Sequence, residues 1–303
     1  MNILDVIIIG GGPAGLNAAV VLARSRRSVL VFDTGRQRNL LSKGMHNYLT
    51  RDNILPADFL KLAHKEIRKY GVNFSRREIV SAKKLRTNIF RVTEKKGNEH
   101  FAKKLLIATG LKDNIPSLAG IKPLYGKSVF HCPYCDGWEV KDKKIGVYAK
   151  NRNSYELALS LKTWSKNISF YTDGKNYLGP VEKKLFRTKN IHVYTEKIQR
   201  LESKNGQLAQ IIFQDGKKQP CDALFISHGY EQQSSIASDL GCTMNRQGVV
   251  NTNRLGQTNI PGLYVAGDVS KDMHFVVVAA AEGAKAGVSI NKELQAEDTW
   301  KNE

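Results

Sequence analysis

The clearest pattern in the chain is an apolar run near its start that leads directly into glycines. Asp5 to Ile9 form a run of strand length, and Leu16 to Arg24 have a helix-like composition. Between them, Gly10, Gly12 and Gly15 give the spacing G-x-G-x-x-G. The first glycine permits a tight turn, the second lets a pyrophosphate approach the backbone, and the third lets helix and strand pack closely. This order predicts a dinucleotide site with its phosphates at the helix N-terminus.

A second apolar strand supports the same interpretation. It covers Ser28 to Phe32 and ends at Asp33, near the spacing of about 20 residues at which an acidic side chain binds a ribose hydroxyl. A plain glycine turn is the alternative. NAD and FAD both contain an adenosine ribose and a pyrophosphate, so this fingerprint does not choose between them.

Composition and charge limit the class of protein. With 303 residues and 41% hydrophobic content, the chain is long enough for one or two globular domains. The run Val6 to Ile9 is too short to span a membrane, and we expect a cytoplasmic protein. The net charge of +19 comes from scattered basic groups without a nucleic-acid motif. It fits either a solvated basic surface or an acidic protein partner.

Two of the four cysteines are close together in a C-x-x-C pair, Cys132 and Cys135. Such a pair suits disulfide exchange, in which one thiol has a lowered pKa and the other resolves the mixed disulfide. A zinc site needs further ligands, and with no second close pair we expect no metal. Asp136 is either a proton carrier or a helix cap. His131 is either a proton carrier or a surface residue.

Three separated motifs resemble the low-molecular-weight thioredoxin reductases. They are Cys132-Pro133-Tyr134-Cys135-Asp136-Gly137, the strand end Leu105 to Gly110, and the C-terminal segment Thr258 to Asp268. The likeness covers nearly the whole chain and implies FAD as cofactor. It also implies an α/β fold of two Rossmann-like domains, the second inserted in the first.

The same resemblance implies roles for individual residues. Cys132 is the interchange thiol, Cys135 the thiol nearest the flavin, and Asp136 the general acid and base. Asp268 binds the flavin ribityl chain, and the following helix, which starts near Phe275 and Val276, points its N-terminus at the isoalloxazine ring. The full predicted FAD set is Gly10, Gly12, Pro13, Ala14, Gly15, Asp33, Asn47, Ala108, Thr109, Gly110, Gly267, Asp268, Phe275 and Val276.

Further residues are similar to one branch of thioredoxin-reductase-like flavoproteins with varied substrates. They lie in Arg38 to Asp52, at His131, and at Trp138-Glu139. The resemblance also suggests a homodimer.

The chain departs from the family at its second nucleotide turn. A strand, Lys144 to Tyr148, and a helix, Tyr155 to Lys162, are joined by Ala149 to Ser154 without glycine. Side chains there obstruct the approach of a pyrophosphate, which argues against NADPH. The next strand, Ile168 to Tyr171, leads to Asp173, which would repel a 2′-phosphate. Three basic residues leave a route for some anionic nucleotide, namely Lys150, Arg152 and Lys175.

The expected organisation is an FAD domain in residues 1–112, an inserted domain in 113–233 that carries the C-x-x-C pair, and a return to the FAD domain in 234–303. We expect a linker at Tyr230 to Ser235, and a loosely ordered tail after Glu293.

These features support three functional hypotheses. The first is a disulfide reductase acting on a thioredoxin-like protein or a small disulfide, with an acidic donor such as ferredoxin or flavodoxin in place of NADPH. The second is a dithiol oxidase that passes electrons to oxygen. The third is a redox-sensing flavoprotein module with little turnover.

Overall fold

A computed structural model describes residues 2–151, 153–270 and 273–300, with only the backbone of Trp300, so Arg152 lies outside the described residues. The chain forms two compact units. The first comprises the chain up to Leu40, Asn47–Lys112 and the chain from Glu231 onward. The second comprises Leu41–His46 and Asp113–Tyr230. The short segment Leu41–His46 therefore belongs with the second unit, which no local pattern in the sequence indicated.

The first unit is built on a seven-stranded sheet covered by helices. Its strands are β1 (Ile3–Ile9), β2 (Val29–Phe32), β3 (Asn73–Ser75), β4 (Ile79–Lys84), β5 (Phe90–Glu94), β6 (Glu99–Ile107) and β17 (Leu263–Val265). Its helices are α1 (Pro13–Arg24), α2 (Pro56–Arg68), α6 (Ile236–Asp239) and α7 (Val276–Trp300). The strand order is β3-β2-β1-β6-β5-β4, and β17 also pairs with β6. The pairs joining β3, β2, β1, β6 and β17 are parallel, whereas β4, β5 and β6 pair antiparallel.

The apolar run in β1 is continuous because both faces of this sheet are covered. Val6 and Ile8 lie in one buried cluster, and Ile7 and Ile9 lie in another. Successive side chains of a strand point to opposite faces, so a central strand with two covered faces needs apolar residues at every position.

Two helices of this unit pack in close backbone contact. A Cβ atom added at Gly283 of α7 would lie 2.0 Å from the carbonyl oxygen of Ala14 in α1. Only glycine permits this approach.

The expectation of a loosely ordered tail after Glu293 is wrong, because α7 continues to Trp300. Lys104 of β6 is buried, with 3% of its surface exposed, and forms ion pairs with Glu293 and Glu297. A buried ammonium group needs such partners, so the last turns of α7 are held in place.

The second unit is built on a five-stranded parallel sheet. Its strands are β8 (Val129–Phe130), β9 (Ile145–Tyr148), β10 (Ile168–Tyr171), β11 (Ile191–Tyr194) and β15 (Ala223–Ile226), in the order β11-β10-β9-β15-β8. A separate antiparallel sheet contains β12 (Ile198–Lys204), β13 (Gln207–Phe213) and β14 (Lys218–Pro220). The helices are α3 (Pro133–Asp136), α4 (Ser154–Leu161) and α5 (Pro180–Thr188), with 3-10 turns at Lys122–Leu124 and Trp138–Val140.

Two chain segments connect the units. They are β7 (Leu111–Asp113) and β16 (Tyr230–Gln232), and they pair with each other in a two-stranded sheet. These two lie at the crossings 112/113 and 230/231, and the chain also crosses at 40/41 and 46/47. The predicted α/β class is confirmed, with a parallel sheet in each unit. No helix in the described part of the chain is long and apolar enough to cross a membrane.

Candidate active site and cofactor-binding turns

Two of the three glycines in the first turn are required by close packing. Gly10 has a φ of +113°, and a Cβ atom there would lie 2.1 Å from the carbonyl oxygen of Ala108. A Cβ atom at Gly15 would lie 1.9 Å from the carbonyl oxygen of Gly10. Gly12 differs, because the nearest atom to its added Cβ would be Gln37 Cγ at 4.0 Å. Gly12 therefore leaves open space beside the start of α1.

Asp33 is held beside this turn at the end of β2. Its carboxylate accepts hydrogen bonds from Gln37 Nε2 at 2.8 Å and from the amide of Gly35 at 3.2 Å. A Cβ atom added at Gly11 would lie 2.7 Å from Asp33 Cβ. The acidic side chain and the glycine turn are thus in direct contact.

The strand end of β6 borders the same turn. The amide of Ala108 donates to the carbonyl oxygen of Ile9 at 2.8 Å. Thr109 follows, and its Oγ1 is buried without a hydrogen-bond partner among the described residues. Gly110 then turns the chain with a φ of +73°. A buried hydroxyl without a partner indicates a position where a ligand can supply the missing bond.

The C-terminal motif lies beside α1 in the first unit. Gly267 has a φ of +80°, and its added Cβ would lie 2.9 Å from Ala14 Cβ. Asp268 forms an ion pair with Arg38 at 3.2 Å. Arg38 also lies 3.0 Å from Nδ1 of His274, immediately before Phe275 and the start of α7.

Asn47, which the resemblance assigns to the FAD set, lies in a bend of the chain. It has a φ of +63°, and its amide donates to Asp52 Oδ1 at 3.1 Å. Asparagine tolerates this left-handed conformation better than most residues.

The first unit therefore fits a flavin dinucleotide. The glycine turn, the acid at the end of β2 and the orphaned hydroxyl of Thr109 supply space and polar groups for its phosphates and ribose.

The cysteine pair lies at the start of α3 in the second unit. Cys132 and Cys135 form a disulfide, with their Cα atoms 5.3 Å apart. Cys132 Sγ accepts a hydrogen bond from the amide of Cys135 at 3.2 Å. An amide donor stabilises a thiolate at this sulfur once the pair is reduced. Within the described residues, no cluster of three or more His, Cys, Asp or Glu could hold a metal ion.

Asp136 follows the pair, and its carboxyl group is suited to exchange a proton at neutral pH. Burial, and after it the negative charge of Glu139, raise the pKa of Asp136 to about 7, while His46 opposes the shift. His46 Nε2 lies 3.4 Å from Glu139 Oε1. The segment Leu41–His46 thus brings a histidine toward the dithiol, a placement that required the tertiary fold.

The second turn connects β9 to α4 without glycine. One, three and six residues after β9 stand Ala149, Asn151 and Ser154, at the positions that Gly10, Gly12 and Gly15 hold after β1. Ser154 is fully buried, and its Oγ accepts hydrogen bonds from the amides of Lys150 at 3.1 Å and Asn151 at 3.4 Å. The hydroxyl of Ser154 therefore already accepts the hydrogen bonds of two backbone amides in this turn.

A compact cluster of polar side chains lies at the end of the neighbouring strand, β10. Asp173 accepts hydrogen bonds from the Tyr148 hydroxyl at 2.8 Å and from the amide of Ile198 at 2.8 Å. His228 stacks on Tyr148, with ring centroids 5.1 Å apart. Burial, followed by the positive charges of Lys150 and Lys175, lowers the pKa of His228 to about 4. The imidazole is therefore neutral at pH 7.

A family model described as pyridine nucleotide-disulphide oxidoreductase matches residues 4–283. The chain belongs to this family.

Relatives of this pyridine nucleotide-disulphide oxidoreductase are similar over its whole length. The thioredoxin reductase tcpT of Claviceps purpurea is 31% identical over 98% of this chain and 96% of its own. The crystal structure of HlmI has a TM-score of 0.95 at 30% identity, covering 99% of this chain and 95% of that one. An oxidoreductase from Agrobacterium tumefaciens has a TM-score of 0.90 at 30% identity, covering 97% and 99%.

These likenesses confirm the predicted thioredoxin-reductase-like class. The oxidoreductase is an FAD-dependent disulfide enzyme with an α/β fold of two Rossmann-like domains. Some of its polar contacts carried no sequence signal, including the pairing of Arg38 with Asp268 and the bonds of Ser154. Glycine spacing and C-x-x-C are local patterns, whereas these contacts depend on the folded chain.

Proposed function

We propose that this protein passes electron pairs between FAD, the Cys132–Cys135 dithiol and a protein or small-molecule disulfide, with a donor other than NADPH. The observation that carries the donor proposal is the buried Ser154 hydroxyl bonded to the amides of the second turn.

We assign the flavin to the first unit. Gly12 gives access to the backbone, Asp33 accepts from the adenosine ribose, and the orphaned Thr109 hydroxyl gains a partner. Arg38 orients the carboxylate of Asp268 toward the ribityl chain. When bound, FAD supplies the two-electron chemistry. The remaining assigned residues are Gly10, Pro13, Ala14, Gly15, Asn47, Ala108, Gly110, Gly267, Phe275 and Val276.

The dithiol carries the exchange with substrate. Cys132 attacks a disulfide sulfur, and Cys135 resolves the mixed disulfide that forms. The carboxyl group of Asp136, with a pKa of about 7, takes up and returns a proton at neutral pH.

The closed second turn argues against NADPH as donor. A pyrophosphate at this turn would need the amides that Ser154 already occupies. A 2′-phosphate would also approach the carboxylate of Asp173. A negative charge placed beside another one costs roughly several kcal/mol. The turn therefore disfavours NADPH twice, through its occupied amides and through the carboxylate of Asp173. An acidic carrier such as ferredoxin or flavodoxin suits a chain of net charge +19.

The surface next to the dithiol suits a disulfide-bearing partner. Tyr134 and Trp138 are 65% and 67% exposed, and Lys141 Nζ lies 3.7 Å from the centre of the Trp138 ring. Exposed aromatic side chains are typical of docking surfaces. Relatives named as thioredoxin reductases support a thioredoxin-like partner. A cytoplasmic location and a homodimer stay predictions.

The donor proposal is tested by anaerobic titration of the flavoprotein with NADPH, NADH and reduced ferredoxin in turn, following the flavin absorbance. Dithionite is the control that shows the flavin is reducible. Bleaching by ferredoxin but by neither nucleotide is the expected result. Stoichiometric bleaching by low concentrations of NADPH would overturn the donor proposal and leave an NADPH-dependent reductase.

The closed turn also favours a second candidate, a dithiol oxidase. An enzyme that takes electrons from substrate dithiols and passes them to oxygen needs no nucleotide site. Oxygen uptake driven by a dithiol, absent in the Cys132→Ser and Cys135→Ser variants, would favour this direction of electron flow.

A further inference from the structure

A second group of ionisable side chains lies next to the dithiol. It includes His131, the residue before Cys132, whereas Asp136 is the residue after Cys135. The Tyr125 hydroxyl lies 2.6 Å from Asp113 Oδ2 and 3.1 Å from His131 Nδ1. The side chains differ in exposure, with 8% of Asp113 and 38% of His131 accessible. Tyr125 is buried, and its ring lies nearly parallel to the imidazole, at 18°. His131 directly precedes Cys132 and follows the end of β8.

The direction of these hydrogen bonds follows from the proton inventory. An ionised carboxylate only accepts, so Tyr125 donates its single proton to Asp113. The phenol oxygen then accepts from His131, which places the proton of a neutral imidazole on Nδ1. With the proton of the neutral ring on Nδ1, Nε2 is unprotonated, and this is the tautomer in which a histidine next to a thiol can act as its base.

We propose that His131 is the proton carrier for the Cys132 thiol during exchange with substrate, and that Asp113 and Tyr125 are positioning residues that hold its tautomer. This inference rests on the dithiol exchange in the proposed function and is independent of the electron donor.

The step balances in atoms and electrons. Nε2 of His131 takes the proton of the Cys132 thiol, and the thiolate attacks one sulfur of the substrate disulfide. A Cys132–substrate bond forms, the substrate S–S bond breaks, and the departing thiolate takes the proton back from His131. Cys135 then attacks Cys132, releasing the second substrate thiol with the proton of Cys135. The substrate disulfide is reduced to two thiols, and the enzyme dithiol is oxidised to a disulfide.

Exchange through two thiols needs two proton transfers, and an ionisable side chain stands directly before and directly after the cysteine pair in sequence. Asp136 follows Cys135, whereas His131 precedes Cys132. The partial exposure of His131 lets a departing substrate thiolate approach it.

The test compares two substrates with different leaving groups. Protein reduced anaerobically with dithionite and freed of excess is mixed with bis(2-hydroxyethyl) disulfide or with 5,5′-dithiobis(2-nitrobenzoate), and thiol release is followed. The alkyl thiolate has the higher pKa and is the poorer leaving group, so its departure gains more from a proton donor than that of the aromatic thiolate.

His131→Gln is expected to slow the alkyl reaction by about 100-fold, because both the attack of Cys132 and the departure of the alkyl thiolate lose their proton carrier. The aromatic reaction loses only the help to the attack, and it should slow by at most about tenfold. Tyr125→Phe and Asp113→Asn should give smaller losses with the same substrate dependence. The matched control is His192→Gln, an exposed histidine on β11 at the opposite edge of the same sheet, and it should leave both rates unchanged. Equal losses with both substrates, or no loss, would overturn the inference.

A second measurement separates this inference from the proposed function. If the reduced wild-type protein reacts with neither disulfide, the proposed exchange has failed, and alkylation by iodoacetamide then decides the role of His131. In the Cys135→Ser background, His131→Gln is expected to raise the apparent pKa of Cys132 alkylation by about one unit. If His131→Gln left the pH dependence of Cys132 alkylation unchanged, the inference about His131 would be overturned.

Discussion

The two strand-to-helix turns of this protein, after β1 and after β9, have the same topology, but different groups surround their backbone amides. After β1, Gly10 and Gly15 are demanded by backbone contacts, and Gly12 leaves space that no side chain fills. After β9, Ser154 bonds to the amides of Lys150 and Asn151 from within the turn. The first turn is shaped for an external ligand, whereas the second satisfies its amides internally.

This difference shows that two Rossmann-like turns of the same topology can satisfy their backbone amides in different ways. The parallel sheet of the second unit is stabilised by its own buried residues, such as Val147 and Phe170. Binding depends on whether the turn leaves its amides available.

The largest expected effect is on the first turn. Gly10→Ala combines a positive φ with a Cβ 2.1 Å from the Ala108 carbonyl oxygen, and should lower the free energy of unfolding by about 3 kcal/mol or more. Gly35→Ala is the matched control, because Gly35 has a φ of +73° but no atom within 4 Å of an added Cβ. Thermal unfolding and flavin content measure both variants. Similar losses in the two would mean that the carbonyl contact is unimportant.

The next prediction concerns the open space at Gly12. Asp and Asn are nearly equal in size and in N-cap preference, but only Asp is charged. Gly12→Asp should weaken FAD binding at least about 100-fold relative to Gly12→Asn, because its carboxylate repels the pyrophosphate. The apoproteins should agree in stability within about 0.5 kcal/mol. Equal flavin affinities would place the pyrophosphate elsewhere.

A smaller effect is expected at Ser154. Ser154→Ala leaves two turn amides without their acceptor and should cost about 1–2 kcal/mol of unfolding free energy. Ser160→Ala on the same helix is the control, with an expected change within about 0.5 kcal/mol. Urea titration measures both. An unaffected Ser154→Ala protein would show that the hydroxyl does not stabilise the turn.

The smallest prediction is a pH dependence at the second turn. The pKa of His228 falls to about 4 in the folded state from 6.5 in the unfolded state. The unfolded state therefore binds more protons between these values, and stability rises with pH across this window. With allowance for solvent, the contribution is about 1 kcal/mol. His228→Gln should flatten this rise, whereas His192→Gln should not, as measured by denaturant midpoints from pH 4 to 7. A slope unchanged by His228→Gln would contradict the assignment.

Local patterns predicted the elements around both turns. The strand Ile168–Tyr171 was predicted with its observed bounds, and the predicted helix Tyr155 to Lys162 lies one residue from the observed Ser154–Leu161. The helix predicted from Leu16 begins at Pro13, because proline is compatible with the first turn of a helix. Apolar periodicity and turn residues are read within a few positions, which is why these elements could be found.

Contacts between distant residues could not be predicted in this way. Arg38 and Asp268 are 230 positions apart, and Lys104 finds its carboxylates in the segment that was expected to be loosely ordered. Ser154 was predicted to end the connecting segment, one residue before the helix, whereas it is the first residue of that helix, and its bonds depend on how the turn folds back. A single sequence carries no signal for such pairings.

The ion pairs of Lys104 bear on how the protein is synthesised. The second unit is complete in sequence once Tyr230 has left the ribosome. The first unit must wait for β17, which pairs with β6, and for Glu293 and Glu297, which neutralise the ammonium group of Lys104. Domains fold as units during translation, so the inserted unit folds before the one that surrounds it. The nascent chain therefore carries an incomplete sheet until Leu263–Val265 have been synthesised.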